Sequence, residues 1–128
     1  MKPNIATKTL LLILVSLVFF HVSVLLKIIP EDIVWGGSSE ARDNTYLLES
    51  ISLLATFYLI FVLLIKGSFI KQLLPHKVVK VSLWVFLILF LLNTLGNLLA
   101  QSATEKFLAL ITMTIVVLLG VILRSKED

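Results

Sequence analysis

The sequence predicts an all-α fold, an integral membrane bundle of four transmembrane helices in a single domain. Three observations carry this. The chain has 128 residues, of which 59% are hydrophobic and 15% charged. A soluble domain of that size keeps much of its surface in water and cannot hide so much apolar side chain, whereas lipid tolerates it. The apolar residues fall into four runs, each close to the roughly 20 helical residues that cross a hydrocarbon core of about 30 Å. The charged residues collect at the ends of these runs.

Thr9 to Leu26 forms the first run and follows Lys2 and Lys8. A basic start before an apolar stretch also marks a secretory signal, but Lys27-Ile28-Ile29-Pro30 contains no small-x-small cleavage site, so a retained span is expected. The second run is Ser50 to Ile65, extended past Glu49 to about Tyr46, the third is Val81 to Thr104 and the fourth Phe107 to Leu123. With helix signals added, the expected spans are about 9–28, 46–66, 76–100 and 104–123. Gly67 after Lys66 fits a helix stop, and Pro75 fits the first turn of the third helix. Ser102-Ala103-Thr104-Glu105 is a capping box that opens the fourth helix and makes the third and fourth a tight hairpin.

Orientation follows from lysine and arginine. Lys2, Lys8, Lys66, Lys71, Lys77, Lys80, Arg124 and Lys126 fall on one side, and only Lys27, Arg42 and Lys106 on the other. The positive-inside rule then places both termini and the second loop in the cytoplasm. The same clustering at span ends reads the net charge of +3 as topology, with no nucleic-acid partner expected. The absence of cysteine excludes disulfides, thiolate metal sites and cysteine nucleophiles.

The first loop is the least ordinary segment. Pro30-Glu31-Asp32-Ile33-Val34-Trp35-Gly36-Gly37 reads as one interfacial helical turn, begun by proline, with acids at its positive end and glycine at its close. Trp35 belongs at a headgroup interface either as an anchor or as part of a lid over a pocket that opens outward.

Polar side chains at membrane depth normally face protein or water. The candidates are His21, Glu49, Asn93, Asn97 and Gln101, with Ser16, Ser23, Ser52, Thr56, Thr112 and Thr114 as weaker companions. Counting about 1.5 Å per helical residue puts His21, Glu49, Asn93 and Asn97 together in the outer half, beneath the first loop. Asn93, Asn97 and Gln101 repeat every four residues and share one stripe, as do Glu49, Ser52 and Thr56. Gly96 and Ala100 form a small-xxx-small pair suited to helix packing. The amides serve either as interhelical hydrogen-bond glue or as ligand contacts, and Glu49 either lies solvated at the interface or lines a site. Serines and threonines in spans are expected to bond back to their own helix. Haem is excluded because His76, the second histidine, falls at the other end, and no cofactor or metal is expected.

Two resemblances rest on these motifs. Trp35-Gly36-Gly37 followed by Asn93-Thr94-Leu95-Gly96-Asn97 resembles small four-span bacterial membrane proteins, a likeness that covers most of the chain and implies a cytoplasmic membrane location but no activity. A long outer first loop, Glu49 near the outer end of the second helix, and Lys66-Gly67-Ser68 at its exit resemble, more generally, the four-span sterol-isomerase and sigma-2-receptor group. That resemblance implies a pocket for sterol-like amphiphiles between the spans. The sequence places no second carboxylate inside a span, so the acid pair expected there is incomplete.

The expectation is therefore a non-enzymatic bundle that binds a lipid or small amphiphile, or a partner membrane protein, through His21, Trp35, Glu49, Asn93 and Asn97. The alternatives are a homo-oligomeric transporter or channel for small solutes, and a membrane enzyme using Glu49 and His21 as an acid–base pair.

Overall fold

In a computed structural model, residues 3–28, 45–100 and 102–125 are described, and they form four helices. These are α1 (Pro3–Leu25), α2 (Thr45–Lys66), α3 (His76–Leu99) and α4 (Ala103–Arg124). All four are long and apolar enough to cross a membrane, the pattern of a multi-pass membrane protein. The Pro30–Gly37 turn, Trp35, Arg42 and Gln101 lie outside the described residues.

The helices run antiparallel to their sequence neighbours. Each packs on the next, and α1 closes the ring on α4. The α3–α4 hairpin has the most extensive interface, and Ala100 and Ser102, which bound its turn, are both extended. Much of what faces outward is apolar: Leu12, Phe19, Leu54, Leu92, Leu98, Phe107 and Leu110 are all exposed. That surface suits acyl chains and would be a liability in water.

The core fills only one end of the ring. Ala6, Leu10 and Leu14 of α1 meet Leu59, Val62 and Leu63 of α2, Val79 and Leu83 of α3, and Ile115, Leu119 and Ile122 of α4. This is the end that carries the helix termini Pro3 and Arg124 and the α2–α3 connection.

Helix α1 departs from the expected span of 9–28. It starts at Pro3 and stops at Leu25. The early start has a packing cause: Ala6 and Thr7 are buried, and Thr7 lies against the α2–α3 connection at Gly67. Hydropathy sees Lys8 as a boundary, but a helix continues through a basic residue whose long side chain can reach the headgroups. At its far end Lys27 takes a positive φ of 62°, with Lys27 N–H donating to the Val24 carbonyl and Ile28 N–H to that of Ser23. This is a Schellman close with lysine in the left-handed position.

Helix α2 ends at Lys66, as expected, and closes the same way. Ser68, not Gly67, has the positive φ, and Phe69 N–H donates to the Leu64 carbonyl. Gly67 is needed for space instead. A Cβ there would lie 2.5 Å from Phe69 Cε2 and 3.1 Å from Thr7 Cγ2. Pro75 is the residue before α3, so it caps the helix from outside and its carbonyl accepts from Val79 N–H. The cap of α4 falls where the sequence puts it: Glu105 N–H donates to Ser102 Oγ at 3.0 Å.

Candidate functional site: a cavity at the open end of the bundle

The end opposite the core encloses a cavity of about 770 Å³. All four helices contribute to its wall: Leu17, Phe20 and His21 from α1; Glu49, Ser52 and Thr56 among others from α2; α3 residues between Phe86 and Ala100; and Glu105, Leu108 and Thr112 from α4. Its base is aromatic. Phe86 is buried, belongs to the core as well as the wall, and stacks on Tyr58 with ring centroids 6.1 Å apart. Phe90 follows one turn later, 6.4 Å from Phe86.

Tyr58 also ties α2 to α3, through a 2.7 Å hydrogen bond between its hydroxyl and Ser82 Oγ. Beyond that tie the two helices part. Ile51 on α2 and Leu89 and Asn93 on α3 line the cavity yet are exposed, so it opens sideways between α2 and α3.

His21 and Glu49 form the central polar contact. His21 Nδ1 donates to Glu49 Oε2 at 2.5 Å, with the His21 side chain 14% exposed and that of Glu49 1%. Antiparallel packing brings them together, because His21 lies one turn before the end of α1 and Glu49 one turn after the start of α2. A carboxylate is favoured near a helix N-terminus and an imidazole near a C-terminus, so both helix dipoles support this placement. Phe20 packs its ring edge-on against His21.

The amides do not act as glue between helices. Asn93 and Asn97 both line the cavity, and no hydrogen bond from either side chain to another helix is found among the described residues. The same holds for Nε2 of His21. No side-chain nitrogen or oxygen of the non-exposed residues is buried without a partner, so the Asn97 amide and His21 Nε2 keep access to space, and the exposed Asn93 stands in the same wall.

Glu105 was missed as a site residue. The sequence places no second carboxylate within a span, but Glu105 is 5% exposed and lines the same cavity. Its Oε1 accepts from Ser102 Oγ at 3.1 Å, so one residue both caps α4 and faces the site. The spacing Glu105, Leu108, Thr112 was the available signal, since it repeats on one helical face. The capping role accounted for Glu105 on its own and hid that stripe.

Gly96 and Ala100 line the cavity, and a Cβ added at Gly96 would meet nothing within 4 Å. No helix of this bundle uses the small face that Gly96 offers. The hydroxyls mostly bond within their helices, as expected. Ser16, Ser23, Thr56 and Thr114 each donate to the carbonyl four residues earlier. Thr94 and Thr112 also lie within reach of carbonyls of their own helices, at Phe90 and Ala109, and in addition their hydroxyls, 2.8 Å apart, join α3 to α4 beneath the cavity.

No family model, curated protein or solved structure matches this chain. The functional reading therefore rests on the cavity itself.

Proposed function

We propose that this multi-pass membrane protein holds a lipid or small amphiphile in the cavity between its helices. The supporting observation is the cavity's make-up: about 770 Å³, mostly apolar walls, and a few convergent polar groups at one level. That is the usual form of a small-molecule site. The sideways gap between α2 and α3 offers a ligand dissolved in the bilayer a way in without crossing water. In this reading the termini and the α2–α3 connection face the cytoplasm, as the lysine and arginine distribution directs, and the cavity sits in the outer leaflet of a bacterial cytoplasmic membrane. Trp35 and the rest of the first loop would join the site from the outer surface.

The packed half supports binding over conduction. A water path along the bundle would need polar groups through the core, and that segment is lined by Leu10, Leu14, Leu63, Leu83 and Leu119. Native mass spectrometry of detergent-purified protein tests the proposal by comparing wild type with Asn97→Leu. We expect the variant to lose most co-purifying lipid, by about tenfold for a loss of roughly 1.4 kcal/mol. Equal retention in both proteins would sink the proposal.

One observation favours a second reading, an enzyme acting on a lipophilic substrate. Glu49 holds His21 by Nδ1 and leaves Nε2 facing the cavity, the arrangement in which a carboxylate orients an imidazole for proton transfer. Conversion of a lipid during incubation with wild type but not with His21→Gln would replace binding by catalysis as the primary role.

A further inference from the structure

The groups that line the cavity differ in whether they are already engaged, and this bears on the chemistry of the head a ligand would present. Both carboxylates of the wall are engaged within the protein: Glu49 with His21, and Glu105 with Ser102 through its backbone N–H and its side chain. The lining groups not engaged in this way are the two amides of Asn93 and Asn97, the Ser52 hydroxyl and Nε2 of His21. Among the described residues, no lysine or arginine lines it.

We infer that the bound amphiphile carries an uncharged, hydrogen-bonding head, with hydroxyl or amide groups, and not a phosphate, carboxylate or ammonium. This deepens the binding reading above and rests on it. An anionic head would meet no lysine or arginine among the described lining residues, and burying an unpaired charge is far more costly than burying a hydrogen-bonded neutral group. An ammonium would give up its hydration for carboxylates whose acceptor sites are already partly taken by His21 and Ser102. A hydroxyl or amide head meets what is open. Each asparagine offers two N–H donors and one carbonyl acceptor, and with Nδ1 donating to Glu49 the neutral imidazole adds Nε2 as an acceptor. Asn93 and Asn97 stand one turn apart on the same face of α3, so a head with two such groups can engage both. The apolar wall formed by Leu17, Leu89, Phe86 and Phe90 takes the chain.

Photo-crosslinking with a matched probe series tests this. Four hexadecyl probes share one diazirine-bearing tail and differ in the head: a glyceryl ether, a primary amide, a trimethylammonium and a sulfonate. The full chain is reconstituted in phosphatidylcholine nanodiscs, irradiated, digested and mapped by mass spectrometry. Labelling of the cavity wall on α3 and α4 is divided by labelling of the outward residues Leu12 and Phe19 of α1.

We expect that ratio to be about tenfold higher for the glyceryl and amide probes than for either ionic probe. The difference between the glyceryl and amide arms then identifies which of the two heads is taken. Equal ratios for all four probes, each well above one, would overturn the head assignment and leave the cavity reading standing. A preference for an ionic probe would do the same. Ratios near one for every probe would overturn both. Asn97→Asp keeps the size of the side chain and adds a charge, so it should raise the trimethylammonium ratio several-fold at the expense of the amide probe. An unchanged profile in that variant would remove Asn97 from the head site and overturn the assignment.

Discussion

Toward its termini the bundle is filled: Leu10, Leu14, Leu59, Leu63, Leu83 and Leu119 interlock with no surface left accessible. Toward the opposite end the same four helices surround about 770 Å³ of space, and small or polar side chains, among them Ser52, Asn93, Gly96 and Asn97, join the apolar ones that face it. Lipid surrounds both halves alike, so hydrophobic transfer cannot explain the difference. Association within a membrane depends on close packing and on hydrogen bonds between helices. The filled half draws on the first. Among the described residues, polar ties from His21 to Glu49 and from Thr94 to Thr112 hold the open half, and Tyr58 to Ser82 holds its border with the filled one. A bundle built this way can keep one end spacious because the other end supplies most of the packing.

That division can be broken most strongly from the filled side. Leu119→Ala should cost about 2–5 kcal/mol, because the site is closed on every side and cannot collapse into the gap. Leu108→Ala, in the cavity wall, should cost under about 1 kcal/mol, since its side chain already borders space. Thermal unfolding in mild detergent measures both. Similar losses in the two variants would mean that the halves are not distinct.

The next effect in size belongs to the main polar tie. Glu49→Leu removes the partner of His21 and should cost about 1–3 kcal/mol, the penalty for leaving a largely buried polar group without its hydrogen bond. His21→Leu combined with Glu49→Leu should recover part of that loss, because no orphaned group remains. A double variant no better than the single one would show that the pair does not act as a unit. Tyr58→Phe is milder, with an expected loss of about 0.5–1.5 kcal/mol, since it removes one hydrogen bond and leaves the stack on Phe86. It should also loosen the α2–α3 gap, readable as faster hydrogen exchange at Ile51 and Leu89. The smallest stability effect is expected from Asn97→Leu, within about 0.5 kcal/mol of wild type, because its amide holds no other helix. The same variant is the one that should lose bound lipid.

Much of this bundle follows from local order in the chain. Four apolar runs of membrane length require four helices, since in lipid each span must satisfy its own backbone. Short connections at 67–75 and 100–102 make α2, α3 and α4 antiparallel neighbours, and the depth count along each span puts His21, Glu49, Asn93 and Asn97 at one level. Periodicity, however, says only which residues share a face of one helix. Which face turns inward, and what it meets, depends on the rotation of four helices about one another. Only the tertiary structure could therefore pair His21 with Glu49, leave Asn93 and Asn97 in a cavity wall where glue between helices was the other expectation, and fold Glu105 from its cap into the same wall. It also decided that α1 begins at Pro3, because the contact of Thr7 with the α2–α3 connection joins residues some sixty positions apart in the chain. Span number and depth are properties of each segment in its solvent, whereas pairing and empty space are properties of how the segments pack together.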